Sequence, residues 1–345
     1  MPDPILIALD GMGGDRAPDV VLSGANMACE RYPEARFLVH GDTVLLQRSL
    51  EKFRRLRDRV ELHAAEKVIA DDARPSSALR GGEGSSMWNA VRKVRDGEAA
   101  GVVSAGNTGA LMAVSKFLLR TPPGVGRPAI CSILPTLRAE IAMLDLGANI
   151  ECDGENLFQF AVMGAAFASA VLDRRPTVGL LNVGQEELKG GAALRDAAAR
   201  LRAVSKPGFD FKGFIEGDDI TGGAVDVVVT DGFTGNVALK ALEGSARLYG
   251  AALRRAAKSS LAGMAGFWLA RRTFGKVRDR LDPRRYNGAV FVGLNGIVVK
   301  AHGSSDAFAF ANAIGFAVDM SRHGFLEDVR AAFERTAPPV AATAS

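Results

Sequence analysis

The chain has 345 residues, 48% hydrophobic and 24% charged, a globular composition with a sizeable core that excludes disordered and fibrous classes. Its net charge is +4, but Arg247 to Arg285 holds eleven Lys or Arg against two Asp, so that segment is +9 and the remainder −5. A cationic patch on a weakly acidic body implies an anionic partner at one place and excludes general coating of nucleic acid.

Met1 to Asp10 has no basic segment followed by an apolar one, so no signal peptide is expected. No uncharged stretch reaches the roughly 20 residues that a membrane-spanning helix needs, so no spanning helix is expected, and the cysteine usage makes a reducing cytoplasm the simple reading. Cys29, Cys131 and Cys152 show no C-x-x-C spacing, so neither disulfides nor a zinc site are indicated and all three read as structural.

Strand-length apolar runs alternate with helix-period segments almost from end to end. The runs are Ile5 to Asp10, Arg36 to His40, Val60 to Ala64, Gly101 to Ala105, Ala129 to Leu134, Ile141 to Leu146, Thr177 to Val183, Phe211 to Ile215, Val225 to Thr230 and Ala289 to Lys300. Between them lie helices such as Val20 to Arg31, Thr108 to Leu119, Leu157 to Leu172 and Ala192 to Ala203. This pattern predicts α/β architecture with a mainly parallel sheet, and places the site at the carboxyl ends of strands. The expected organisation is one unit over 1–336 with two lobes around a cleft, a basic amphipathic helical insertion at 245–285 and a frayed tail at 337–345.

Five loops at strand ends could hold chemistry. The first, Asp10 to Pro18, is glycine-rich with Gly13 and Gly14. It fails the dinucleotide fingerprint, because Arg16 stands where G-x-G-x-x-G needs its last glycine, so by itself it reads as a tight turn. The second, Ser104-Ala105-Gly106-Asn107-Thr108-Gly109, opens an apolar helix, whose free N–H groups and dipole favour an anion with Asn107 and Thr108 as added donors. Thr108 as a plain helix cap is the competing reading. Asp145 to Asn149 adds a further polar strand end.

The remaining loops follow the same plan. Asn182 to Gly191 brings Lys189 to a helix start, where it is the favoured partner for a phosphate or oxyanion, with an ordinary solvated lysine as the alternative. Asp231-Gly232-Phe233-Thr234-Gly235-Asn236 repeats the second loop's architecture, so the two are expected to share an anion pocket, with Asp231 orienting a partner or taking a proton. After the last strand come His302, Ser304 and Ser305; His302 is a candidate acid or base, against a structural alternative in which the serines cap the next helix and Asp306 lies in its first turn. H-E-x-x-H and G-x-x-x-x-G-K-[ST] are both absent, which disfavours metal hydrolysis and ATP use.

These loops, in this order across nearly the whole chain, resemble the bacterial phosphate acyltransferase of phospholipid synthesis. Gly11 departs from the alanine expected there. The resemblance implies transfer of a long-chain fatty acyl group from acyl carrier protein to inorganic phosphate, giving acyl phosphate, with no metal or nucleotide. It further implies a three-layer α/β/α fold like that of phosphate acetyltransferase and the isocitrate and isopropylmalate dehydrogenases, a homodimer, and peripheral membrane association. On this reading Lys189, His302 and Asp231 are catalytic. Asp10, Gly13, Gly14, Ser104, Asn107, Thr108, Gly109, Asn149, Asn182, Thr234, Gly235, Asn236, Ser304 and Ser305 bind substrate.

The basic segment then has a use. Leu261, Met264, Phe267 and Trp268 form an uncharged helical patch between Arg254, Arg255 and Lys258 on one side and Arg271, Arg272 and Lys276 on the other. Such a patch is expected to lie on an anionic membrane surface, with burial against another helix, the second subunit or an acidic carrier protein as alternatives. A coenzyme A thioester remains open as the donor. A noncatalytic membrane scaffold is the rival from another class, and it has no need of five polar strand-end loops.

Overall fold

Among the described residues the Val-, Ile- and Leu-rich runs form eleven strands: β1 (Ile5–Asp10), β2 (Ala35–Gly41), β3 (Val60–Ala64), β4 (Gly101–Ser104), β5 (Ala129–Pro135), β6 (Glu140–Leu144), β7 (Thr177–Leu181), β8 (Asp210–Ile215), β9 (Val227–Val229), β10 (Ala289–Val292) and β11 (Ile297–Lys300). The computed structural model describes residues 4–172, 174–204, 208–280, 282–286 and 288–336, so the tail 337–345 lies outside the described residues. All eleven strands join one sheet, in the order β3-β2-β1-β4-β11-β10-β5-β6-β9-β7-β8. Seven of its ten pairings are parallel. The three antiparallel ones, β11–β10, β10–β5 and β5–β6, lie together in the middle. The strands β3-β2-β1-β4-β11 are therefore parallel to one another, as are β6-β9-β7-β8, and the two groups run in opposite directions.

Both faces of the sheet are buried, which is why its strands read as continuous apolar runs rather than alternating ones. Ile7 and Leu9 of β1 join a core with Leu22, Phe160 and Phe310, from the helices Asp19–Arg31, Gly154–Leu172 and Ala307–Arg322. Ala8, between them, points into a second core with Val91 and Leu111, from the helices Ser86–Arg95 and Thr108–Leu119. The result is the expected α/β/α layering. Fully buried side chains such as Phe160 and Phe310 each contribute about 1.5–3 kcal/mol by leaving water.

The run Ala289 to Lys300 is not one strand but the antiparallel hairpin β10–β11. Gly293 turns the chain at φ +87°, and a Cβ there would lie 2.5 Å from Met163 Sδ. Only glycine fits this turn, so an unbroken apolar composition hid a reversal. The basic segment is helical, but its first helix, Gly232–Ala257, begins well before residue 245 and continues as Leu261–Leu269 and Arg271–Arg280. No helix among the described residues is long and apolar enough to cross a membrane.

Candidate active site

Three of the predicted loops meet at the ends of β1, β4 and β11, neighbours in the sheet. Asp15 N–H donates to Gly303 O at 3.0 Å, and Arg16 Nη2 donates to Ser304 O at 3.0 Å and Ser305 O at 2.6 Å. Gly13 and Gly14 are needed because the loops approach so closely. A Cβ on Gly13 would stand 2.4 Å from Asp10 Oδ2, and Gly14 has φ +94° with Gly303 O 3.0 Å from where its Cβ would be. Beneath them Asp10, only 1% exposed, accepts from Ser104 Oγ at 2.7 Å. Burial pushes the Asp10 carboxyl above its ordinary range, against the hydrogen bonds that favour its charge.

At the second loop Asn107, not Thr108, caps the helix Thr108–Leu119. Its Oδ1 accepts from Ala110 N at 2.8 Å, and its Nδ2 donates to Asp71 O. Thr108 is exposed at the first turn, and Gly109 packs against Pro75, whose Cγ would be 3.2 Å from a Cβ. The opening amides of such a helix lack intrahelical acceptors, so the anion-binding character of this end survives the change of cap. At the fifth loop the cap is Asp306, which accepts from Ala309 N at 2.9 Å, so Ser304 and Ser305 are not the caps. Ser304 N instead donates to His302 Nδ1 at 3.2 Å, with its Oγ 2.9 Å from the same nitrogen.

The other loops gather at the ends of β6, β9 and β7, again neighbours. Asp145 organises them: its carboxylate accepts from the backbone N–H of Ile130 (2.9 Å), Ala148 (3.1 Å) and Asn149 (2.7 Å), and from Asn149 Nδ2 (2.9 Å). The helix Gly232–Ala257 seats its first turn on this loop through Gly232 N–H, which donates to Asn149 O at 2.7 Å. Gly235 is equally confined, since a Cβ there would meet Asp145 O at 1.9 Å. Asn236 thereby faces Gly147, its Nδ2 3.2 Å from where a Gly147 Cβ would be. Asp231 caps the helix, accepting both Thr234 N and Thr234 Oγ1 at 2.8 Å. Asn182 Nδ2 donates to Gly184 O at 2.8 Å. Lys189 lies in a 3-10 turn, Glu187–Lys189, ahead of the helix Ala192–Ala203 rather than at its start; it is exposed and paired with Glu186 at 2.9 Å.

The two strand-to-helix loops expected to share one pocket thus belong to different sets. β4 and β9 stand five positions apart in the sheet, on the order of 24 Å at the usual strand spacing, and run in opposite directions. The sequence shows each loop's local chemistry but not strand order, and it is the strand order that separates the two loops. Two cavities, of about 340 Å³ beside Phe308 and Phe316 and about 450 Å³ beside Phe209 and Phe211, lie at neither set.

One residue of the first set had not been singled out. Lys300 ends β11 at 9% exposure, and burial lowers its ammonium to about 8 against the attraction of Asp10, Asp71 and Asp15. In the sequence it is only the charged end of an apolar run, and nothing there shows which way its side chain turns. Among the thiols, Cys29 and Cys131 are buried and Cys152 half-buried, and burial raises all three, Cys152 to about 12, which disfavours thiolate chemistry.

In the basic helices Leu261, Met264 and Trp268 are exposed, at 81%, 46% and 61%. Phe267 departs from the expected patch. It stacks on Phe274 with ring centroids 5.0 Å apart, closing one helix on the next, and Leu269 is exposed beside Trp268 instead.

A family model described as fatty acid synthesis protein matches residues 5–328. The chain is 53% identical over 335 residues to the phosphate acyltransferase of Paramagnetospirillum magneticum, covering 97% of this chain and 95% of that protein. Its fold is similar to a phosphotransacetylase from Streptococcus pyogenes, with TM-score 0.62 and 16% identity over 92% of this chain and 94% of that one. It is also similar to a 4-hydroxythreonine-4-phosphate dehydrogenase from Klebsiella pneumoniae, with TM-score 0.53 and 14% identity over 93% and 98% of the two chains.

Proposed function

We infer, for a chain that belongs to the fatty acid synthesis protein family and is an acyltransferase, that it moves a long-chain fatty acyl group from acyl carrier protein to inorganic phosphate. The product is acyl phosphate for phospholipid synthesis. The observation that carries this reading is the 53% identity with a phosphate acyltransferase across 97% of the chain, joined to two helix N-termini set at strand ends.

The chemistry asks little beyond positioning. A phosphate oxygen attacks the thioester carbonyl, the carbonyl oxygen becomes an oxyanion, and the C–S bond breaks to release thiolate. One proton leaves the phosphate and one arrives on the sulfur, so the exchange balances without a cofactor. Donors preorganised for phosphate and oxyanion supply most of the acceleration. Inorganic phosphate and the carrier's phosphodiester are both anions, and the two helix ends provide one place for each. Asn107 and Thr108 serve one, and Thr234 and Asn236 the other, where Lys189 exchanges Glu186 for the substrate's charge. Among the described residues the Asn236 amide makes no internal hydrogen bond, so it is available as a donor. We assign the proton transfer to His302, whose ring lies in the loop after β11 beside Ser304. Asp231 is committed to its cap and orients the helix end instead.

The same reading includes a homodimer and peripheral contact with an anionic membrane through Leu261, Met264, Trp268 and Leu269, whose apolar surface is exposed between flanking cations. The test is incubation with phosphate and either long-chain acyl carrier protein or acyl-coenzyme A, trapping acyl phosphate with hydroxylamine and following thiol release. Phosphate-dependent product from the carrier donor supports the proposal. Product from coenzyme A alone replaces the donor, and no product from either overturns it.

A further inference from the structure

Polar residues at or next to the carboxyl ends of five neighbouring strands form a row. His63 of β3 is in register with His40 of β2, His40 with Asp10 of β1, and Lys300 of β11 with Ser104 of β4. Ser104 closes the row by donating to Asp10. Among the described residues Asp10 Oδ1, the Ser86 hydroxyl, both His40 ring nitrogens and Asn89 Oδ1 are buried without a hydrogen-bond partner. Unpartnered polar atoms are costly and few in a folded chain.

We propose that Lys300, acting with Asp10 and Ser104, is a positioning residue that latches the loops after β4 and β11, holding the amides that open the helix Thr108–Leu119 toward the anionic substrate. The peptide between Ala105 and Gly106 is held at both polar ends. Lys300 Nζ donates to its carbonyl, Ala105 O, at 3.3 Å, while Ser104 Oγ accepts its N–H, Gly106 N, at 3.1 Å. Lys300 also donates to Ala301 O, so one ammonium ties two loops. A buried ammonium is unfavourable unless fixed acceptors and opposite charge surround it, and here they do. Asp10 on β1, Asp15 in the loop after it and Asp71 ahead of the helix Pro75–Gly81 are the charged groups that face it. With that peptide plane fixed, the next amides at the helix start cannot turn away. Deprotonating Lys300 weakens the latch by removing its attraction to Asp10.

The inference rests on the phosphate-transfer reading, and its test separates the two. Steady-state rates between pH 6 and 10 are compared for the wild type and Lys300→Met. The wild type should show phosphate KM rising as pH passes about 8. The variant should show KM raised roughly tenfold at pH 7, a loss of about 1.4 kcal/mol, with no further rise above pH 8. A variant with wild-type KM and the same high-pH rise overturns the latch. Hydrogen exchange of the wild type, corrected for intrinsic rate, decides the matter if the variant does not fold or if no acyl phosphate forms. Gly106 should lose protection between pH 7 and 9 while the helix Ala307–Arg322 keeps its own, and unchanged Gly106 protection overturns the proposal.

Discussion

Ser104 donates its hydroxyl to Asp10 Oδ2 at 2.7 Å, joining the ends of two parallel strands through side chains that are 0% and 1% exposed. Removing one partner of a buried, charge-assisted hydrogen bond leaves the other unsatisfied. Ser104→Ala should therefore lower unfolding free energy by about 1–3 kcal/mol in urea titration. Ser115, equally buried but with its Oγ unpartnered, provides the contrast. Ser115→Ala should be neutral or stabilising by about 0.5 kcal/mol, since alanine is the better helix former. Equal losses at both positions would remove the special status of the Asp10 contact.

Two glycines of the helix Gly232–Ala257 should respond oppositely to alanine. At Gly235 the new methyl would lie 1.9 Å from Asp145 O, whereas at Gly244 nothing stands within 4 Å. Gly235→Ala should unseat the helix start, costing roughly 2 kcal/mol or more and most of the activity. Gly244→Ala should raise stability by about 0.5–1 kcal/mol and leave turnover intact. Thermal denaturation of the pair checks both signs.

Asn107 is a cap, and the substrate-binding role proposed for it can be separated from that. Asn107→Asp preserves the capping oxygen but places a negative charge at the helix end, so its stability should stay within about 0.5 kcal/mol of wild type while phosphate KM rises at least tenfold. Asn107→Ala should lose about 1 kcal/mol of stability. An aspartate variant with unchanged KM would mean that no anion binds at this end.

The helices after Ala257 make a prediction about side-chain direction. Trp268→Asp together with Leu261→Asp should weaken binding to vesicles containing anionic lipid at least tenfold, about 1.4 kcal/mol, without altering thermal stability. Phe267→Asp should instead loosen the packing against Phe274. Cosedimentation and calorimetry distinguish the two effects.

His40 sets an acid limit. Burial, with His63, Lys93 and Arg92 nearby, lowers its imidazole from 6.5 to about 3. The unfolded chain therefore takes up a proton between about pH 6.5 and 3 that the folded chain refuses, so stability falls as pH falls through that window. The contribution is about 1.4 kcal/mol per pH unit. His40→Gln should flatten the acid limb by that slope relative to wild type, as read from urea midpoints at successive pH values.

Local chemistry was legible in the sequence because it depends on neighbours in the chain. Val- and Ile-rich runs marked strands, and the helix Thr108–Leu119 was bounded at both ends by a polar cap and the close of its apolar period. The family resemblance was carried by loops of six to nine residues for the same reason. Strand order, strand direction and burial depend on contacts between distant segments, and only the tertiary structure decided them. The sheet order put Asn107 and Asn236 in different sets of loops, and Gly293 reversed a run that composition alone could not divide. The same packing stacked Phe267 on Phe274 and buried Lys300 beside Asp10. A charge at a strand end is written in the sequence, but what it costs and what it holds are set by the groups that the fold brings around it.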